Sequence, residues 1–145
     1  MPCQAHLVEV NAFKKEFDRR GVKIVVVSFA EPAMLGLYHE QHQWPFPILA
    51  DPERKVYRAF GLGRLSWHRV FSLATLKFYL KLFRKGLARR DYGEQDVYQA
   101  GGDFLIDRDG NIHFAHRSED PTDRPSVATL LKAIDRSFRA DPISI

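Results

Sequence analysis

The residue best suited to covalent chemistry is Cys3, the one cysteine among 145 residues. Leu7, Val10, Phe13 and Phe17 recur at spacings of three, three and four, which predicts a helix beginning near Pro2, so Cys3 precedes the apolar stripe and opens the helix. A thiol there faces unpaired backbone N–H groups and the positive end of the helix dipole, and both favour thiolate over thiol. Thiolate is the attacking species in peroxide reduction and in disulfide exchange. Pro2 removes one competing N–H and helps to fix the turn. His6, one helical turn on, could pair with the thiolate, although a histidine there is more often solvated. The plain alternative is a free thiol with no role.

Other polar groups carry less. His39 and His42 are spaced i, i+3, not the i, i+4 of a zinc helix, and no third ligand is evident. His113 and His116, three apart on an expected strand, point to opposite faces and cannot chelate together. Gly61-Leu62-Gly63 lacks the spacing and the lysine of a phosphate loop. Asp51 and Asp107 read as a helix cap and a turn residue. Neither a metal nor a cofactor is expected.

The elements that must position Cys3 follow from pattern. Gly21 ends the first helix; Val22 to Phe29 is apolar and β-branched, as in a strand covered on both faces. Glu31-Pro32 opens a second helix running to about His42, Ile48 to Ala50 is a short strand, and Asp51-Pro52 starts a helix closed by Gly61. Asp103 to Ile106 and Asn111 to His116 form a hairpin across Arg108-Asp109-Gly110. Pro125-Ser126 opens a last helix with Leu130, Leu131, Ile134 and Phe138 inward. The alternation predicts an α/β sandwich with a mixed central sheet.

Length and composition (45% hydrophobic, 28% charged, 12% aromatic) fit one folded domain over 1–145 and exclude disordered, collagen-like and disulfide-dense chains. A lone cysteine, no apolar run of the ~18 residues a membrane span needs and no signal-peptide pattern predict a cytoplasmic protein. Eight bases and no acid lie between Arg64 and Arg90, so the rest of the chain is mildly acidic although the total is +4. Within that helical insertion, about 64–90, Leu73, Leu76, Leu80, Phe83 and Leu87 make one stripe, widened by Phe71, Phe78, Tyr79 and Leu82, opposite Lys77, Lys81, Arg84 and Lys85. Such a helix packs on its own domain or a second subunit, or lies on an anionic membrane surface. One short basic face offers few phosphate contacts, so nucleic acid is not an expected partner.

The order of elements is similar to the later part of a thioredoxin fold, with the opening strand missing: either Met1 is internal to a longer protein or the sheet is incomplete. Pro2-Cys3-Gln4-Ala5-His6-Leu7, Val26-Val27-Ser28-Phe29, Pro47-Ile48-Leu49-Ala50-Asp51-Pro52 and Val56-Tyr57-Arg58-Ala59-Phe60-Gly61-Leu62 together resemble the AhpC/TSA group of peroxiredoxins. Gln99 to Asp107 and His113 to Ser118 resemble its thioredoxin-like branch, which includes selenoprotein U-like and prostamide/prostaglandin F synthase-like proteins. The resemblance implies a thiol oxidoreductase acting on a small peroxide or disulfide, restored by a thioredoxin- or glutathione-type reductant, and often paired as a homodimer. It makes Cys3 either the attacking thiol or the resolving one of a Cys-x-x-Cys turn whose first cysteine precedes Met1. It also implies that the loop at Gly101 and Gly102 faces the redox turn, where a glycine pair admits sulfur or substrate without a Cβ in the way. Peroxiredoxins carry an arginine at the Gly101 position, so the cation that steadies the thiolate is expected to be lost. The competing expectation is a non-catalytic thioredoxin-fold module that docks to a membrane or a partner through the basic helix.

Overall fold

The computed structural model describes residues 2–66, 68, 76–77, 80–81, 99–120 and 122–138. Five helices and four strands can be followed along them: α1 (Pro2–Ala12), α2 (Lys14–Arg19), β1 (Val26–Ser28), α3 (Pro32–His42), β2 (Ile48–Ala50), α4 (Lys55–Ala59), β3 (Gly102–Ile106), β4 (Ile112–Arg117) and α5 (Val127–Ser137). The fold class is α/β and consistent with a thioredoxin-like arrangement.

The expected first helix is two. The chain turns at Phe13, so α1 and α2 share the stripe unequally: Val10 and Phe17 are buried while Phe13 stands 45% exposed at the break. Gly21, at φ +71°, ends α2 in the left-handed region, which glycine enters without steric cost. Arg20 then clamps α2 to α5, with its Nε 2.8 Å from Asp135 Oδ1 and its Nη1 2.8 Å from Glu16 Oε2. Ser126 caps α5 by accepting the Thr129 N–H at 3.2 Å. The amphipathic face of α5 puts Val127 and Ile134 against Val10 and Phe17, and Val22, Ile24, Leu105, Leu130 and Leu131 close around them. This core binds α1, α2 and α5 to the hairpin.

The sheet differs from the single mixed one expected. Strand β1 pairs in parallel with β2, Val26 opposite Ile48 and Ser28 opposite Ala50, and β3 pairs antiparallel with β4, Gly102 opposite Arg117 and Leu105 opposite Phe114. Among the described residues these are two separate two-stranded ladders. Three residues of Val22 to Phe29 are strand, because β2 offers only Ile48–Ala50 as a ladder partner. The Asp107 carboxylate ties the β3–β4 turn: Oδ1 accepts the Asp109 and Asn111 N–H groups at 2.9 Å each and Oδ2 lies 2.7 Å from His113 Nε2. The hydrogen bond from His113, then those from Asn111, hold its carboxyl far below the usual carboxylate range.

Most of the basic amphipathic segment, Arg84 and Lys85 included, lies outside the described residues. Leu76, Lys77, Leu80 and Lys81 are helical and exposed, the two leucines by more than half. No helix among the described residues is long and apolar enough to cross a membrane.

Candidate functional site

Helix α1 opens at Pro2, as a proline in the first turn favours, so Cys3 lies in the turn whose N–H groups have no intrahelical acceptor. His6 follows one turn later. The ring is not solvated: His6 is 9% exposed, and its Nε2 lies 2.9 Å from Asp103 Oδ1. A carboxylate can only accept, so Nε2 carries the proton and the lone pair of the neutral ring falls on Nδ1.

Asp103 comes from β3. Residues i and i+2 of a strand share a face, so Asp103 points the same way as Leu105, toward the core side where α1 packs. Burial pushes its carboxyl up, but the hydrogen bond from His6 and the charge of Arg124 outweigh this and hold it below the usual carboxylate range. The Arg124 Nη1 lies 3.4 Å from Asp103 Oδ2, with both side chains more than four-fifths buried.

Arg124 also explains Gly101. A Cβ built there would overlap the Arg124 Nη2 and come within 2.9 Å of its Nη1. The guanidinium fills the room a side chain would take. Arg124 thus reaches the Gly101 loop from the segment ahead of α5 and pairs there with Asp103. That segment is fastened by Asp123, whose Oδ1 lies 3.0 Å from His116 Nε2 and whose Oδ2 accepts the Glu119 N–H at 2.7 Å. Ser118 Oγ donates to the Asp123 carbonyl at 2.7 Å, and its own N–H donates to the Gly101 carbonyl at 2.9 Å. Gly102 is more confined than its neighbour, since a Cβ there would lie 2.6 Å from the His116 carbonyl oxygen. A cleft of about 460 Å³, lined by Gly61, Gly63, Arg64, Ala100, Arg117 and Ser118 among others, opens beside this loop.

A second cluster reaches α1 through Gln4. Its Nε2 is 3.1 Å from His42 Nε2, while His42 Nδ1 donates to the Tyr38 carbonyl at 3.0 Å, which fixes that tautomer. The His42 ring stacks on Trp44 with centroids 5.5 Å apart, and Trp44 stacks on Phe46 at 5.6 Å. His42 sits between Gln4 and this aromatic ladder. Trp44 is 6% exposed and its Nε1 has no hydrogen-bond partner among the described residues. Exchange Trp44→Phe keeps the stacking and removes the orphaned donor, so stability should stay within about 1 kcal/mol of wild type, whereas Trp44→Ala should cost about 3–5 kcal/mol. Urea unfolding of the two variants checks this. A Phe variant as damaged as the Ala variant would mean that the indole N–H is satisfied.

Residues 9–120 match the AhpC/TSA antioxidant enzyme family. The chain belongs to that family. The matched stretch contains Gly101, Gly102 and Asp103, while Cys3 and His6 stand ahead of it and Arg124 beyond it. The chain is also similar to the thiol-disulfide oxidoreductase ResA of Geobacillus thermodenitrificans (strain NG80-2), 29% identical over 65 residues. That alignment takes in 44% of this chain and 37% of the relative. Sequence reading marked Pro2, Cys3, His6, Gly101 and Gly102, and the structure links His6 to the Gly101 loop through two residues that reading passed over. Asp103 was legible in principle as a charge on the inward side of an apolar strand. Arg124 had no such signal.

Proposed function

We infer that this AhpC/TSA family chain is a thiol oxidoreductase that reduces a small peroxide or a disulfide through Cys3. The observation that carries the reading is the placement of Cys3 in the first turn of α1, one turn before a buried histidine. Unpaired N–H groups and the helix dipole favour its thiolate. In a disulfide, the thiolate forms a new S–S bond as the substrate's bond breaks and a thiolate departs. In a peroxide, the sulfur takes one oxygen as the O–O bond breaks, and the product is a sulfenic acid with water or an alcohol. These 145 residues hold one cysteine, so the second thiol of a cycle comes from outside them, as a thioredoxin- or glutathione-type reductant would supply. Membership of the family and likeness to a thiol-disulfide oxidoreductase support the class of reaction.

The test is direct because alkylation has one target. Iodoacetamide labelling of the purified chain across pH should show a midpoint below the ~8.5 of free cysteine, within the range of roughly 3.5 to 7.5 known for thiols at helix N-termini. Hydrogen peroxide and oxidised glutathione, each followed by mass spectrometry, identify which oxidant forms an adduct faster than with free cysteine. Cys3→Ser should abolish both. A midpoint at or above that of free cysteine, with adducts no faster, overturns the assignment.

A further inference from the structure

We propose that the cleft between the loop at Gly61 to Ser66 and the end of β4 binds the carboxylate of a small polar molecule, with Arg117 as its anchor. The proposal makes no use of Cys3 and is independent of the oxidoreductase reading above. The cleft volume of about 460 Å³ falls within the range of roughly 300–1,000 Å³ usual for small-molecule sites.

Arg117 is set in place before any ligand arrives. Its Nε donates to the Phe60 carbonyl at 2.8 Å, and its guanidinium lies over the Phe104 ring, 5.4 Å from the centroid. Gly61 leaves the room this position needs, since a Cβ there would come within 3.1 Å of Nε. The bond at Nε fixes the plane of the group and leaves the end-on pair, Nη1 and Nη2, to face the cleft. Among the described residues no carboxylate pairs with them. Two N–H groups in one fixed plane match the two oxygens of a carboxylate, and a side chain already held loses less freedom on binding.

The walls are fastened as well. Gln99 Nε2 donates to the Gly63 carbonyl at 3.2 Å and the Ala100 N–H donates to the same oxygen at 2.9 Å. On the other side the Ser118 N–H donates to the Gly101 carbonyl at 2.9 Å. The loop and the strand end are thus both tied to the segment around Ala100, which keeps the cleft open at a fixed width.

Charge and surface set the class of ligand. Arg64 and Arg117 line the cleft together with one acid, Glu119, so two guanidiniums share it with one carboxylate. That balance suits a singly charged oxyanion better than a phosphate dianion, whose second charge would meet Glu119. The lining is more polar than apolar, which suits a polar molecule and not a lipid tail.

Titration of the isotope-labelled full chain with N-acetyltriglycine, a monocarboxylate, followed by its backbone amide NMR signals, tests the proposal. A dissociation constant of about 1 mM is expected, with the largest shifts at Gly61, Gly63, Ala100 and Ser118. The carboxamide of the same peptide, alike in shape and without charge, should bind about tenfold more weakly or worse. Arg117→Gln should bring the acid down to the level of the amide, and Arg117→Lys should recover only part, because an ammonium keeps the charge without the fork. Circular dichroism confirms folding, and Arg64→Gln, on the exposed loop, supplies the reading with a smaller loss should the Arg117 variants not fold. Inorganic phosphate should displace the peptide only at severalfold higher concentration. Equal binding of acid and amide, shifts confined to other parts of the chain, or wild-type binding by folded Arg117→Gln overturns the proposal. So does phosphate binding as tightly as the carboxylate, or no saturation well above the millimolar range. Each of these failures leaves the alkylation of Cys3 to decide the oxidoreductase reading by itself.

Discussion

Gly102→Ala is expected to destabilise the protein by about 3 kcal/mol, at the upper end of the range for overpacking. The added Cβ would meet the His116 carbonyl oxygen at 2.6 Å, and Leu62 Cδ2 and Phe104 Cε2 at 2.9 Å each. The carbonyl belongs to β4 and cannot retreat without loosening the ladder in which Gly102 faces Arg117 and Asp103 faces His116. Phe104 cannot swing freely either, since its ring lies 4.6 Å from that of Phe60 with the Arg117 guanidinium over it. The neighbouring glycine gives the contrast. At Gly101 the obstacle is the far end of Arg124, a flexible side chain, so Gly101→Ala should fold with a much smaller loss while moving the guanidinium away from Asp103. Chemical denaturation of the two variants separates these effects: Gly102→Ala should shift the unfolding midpoint strongly and Gly101→Ala weakly. Equal small losses would show that β4 gives way more readily than a paired strand should.

That contrast also shows where sequence reading reached and where it stopped. The glycine pair was recognisable as a place of close approach, but the approaching groups were not, because a backbone oxygen from β4 and a guanidinium from the segment before α5 arrive by tertiary folding alone. Local punctuation was legible. Ile48–Ala50 and Pro32–His42 follow from a proline boundary on one side and apolar content within, and the ends at Gly21 and Ser126 follow from backbone freedom and capping. The long strand expected from Val22 and the unbroken first helix failed for one reason. Apolar periodicity reports what a segment could bury, whereas a ladder or a continuous helix face exists only as far as its partners do. In the site, the family resemblance led to Cys3 and Gly101, and it suggested that a cation was missing. Arg124 reaches the Gly101 loop from a different stretch of chain, which no residue pattern near Gly101 announces.

Asp51→Ala is expected to cost about 2 kcal/mol, because one carboxylate there satisfies three backbone donors. Oδ1 accepts the Lys55 N–H at 2.9 Å, and Oδ2 accepts those of Val56 at 2.9 Å and Tyr57 at 3.3 Å. The residue is a cap, as its sequence context predicts, but the helix it serves begins at Lys55 and not at Pro52, since Arg54 at φ +56° turns the chain before the helix starts. A non-glycine residue in the left-handed region is held there against its own preference. The carboxylate, 8% exposed, supplies the restraint by gathering the N–H groups just beyond it. Losing it should fray α4 and reach β1 as well, because Tyr57 donates its hydroxyl to the Val27 carbonyl at 3.1 Å and sets its ring edge-on to Phe29. Asp51→Asn distinguishes capping from mere filling of space. Its shape is nearly the same, yet it offers one acceptor oxygen where the carboxylate offers two, so it can serve Lys55 or the Val56 and Tyr57 pair but not both. Its unfolding free energy should therefore fall between those of wild type and the alanine variant. If the amide matched wild type, the second oxygen would contribute nothing, and Arg54 would have to keep its left-handed turn by some other restraint.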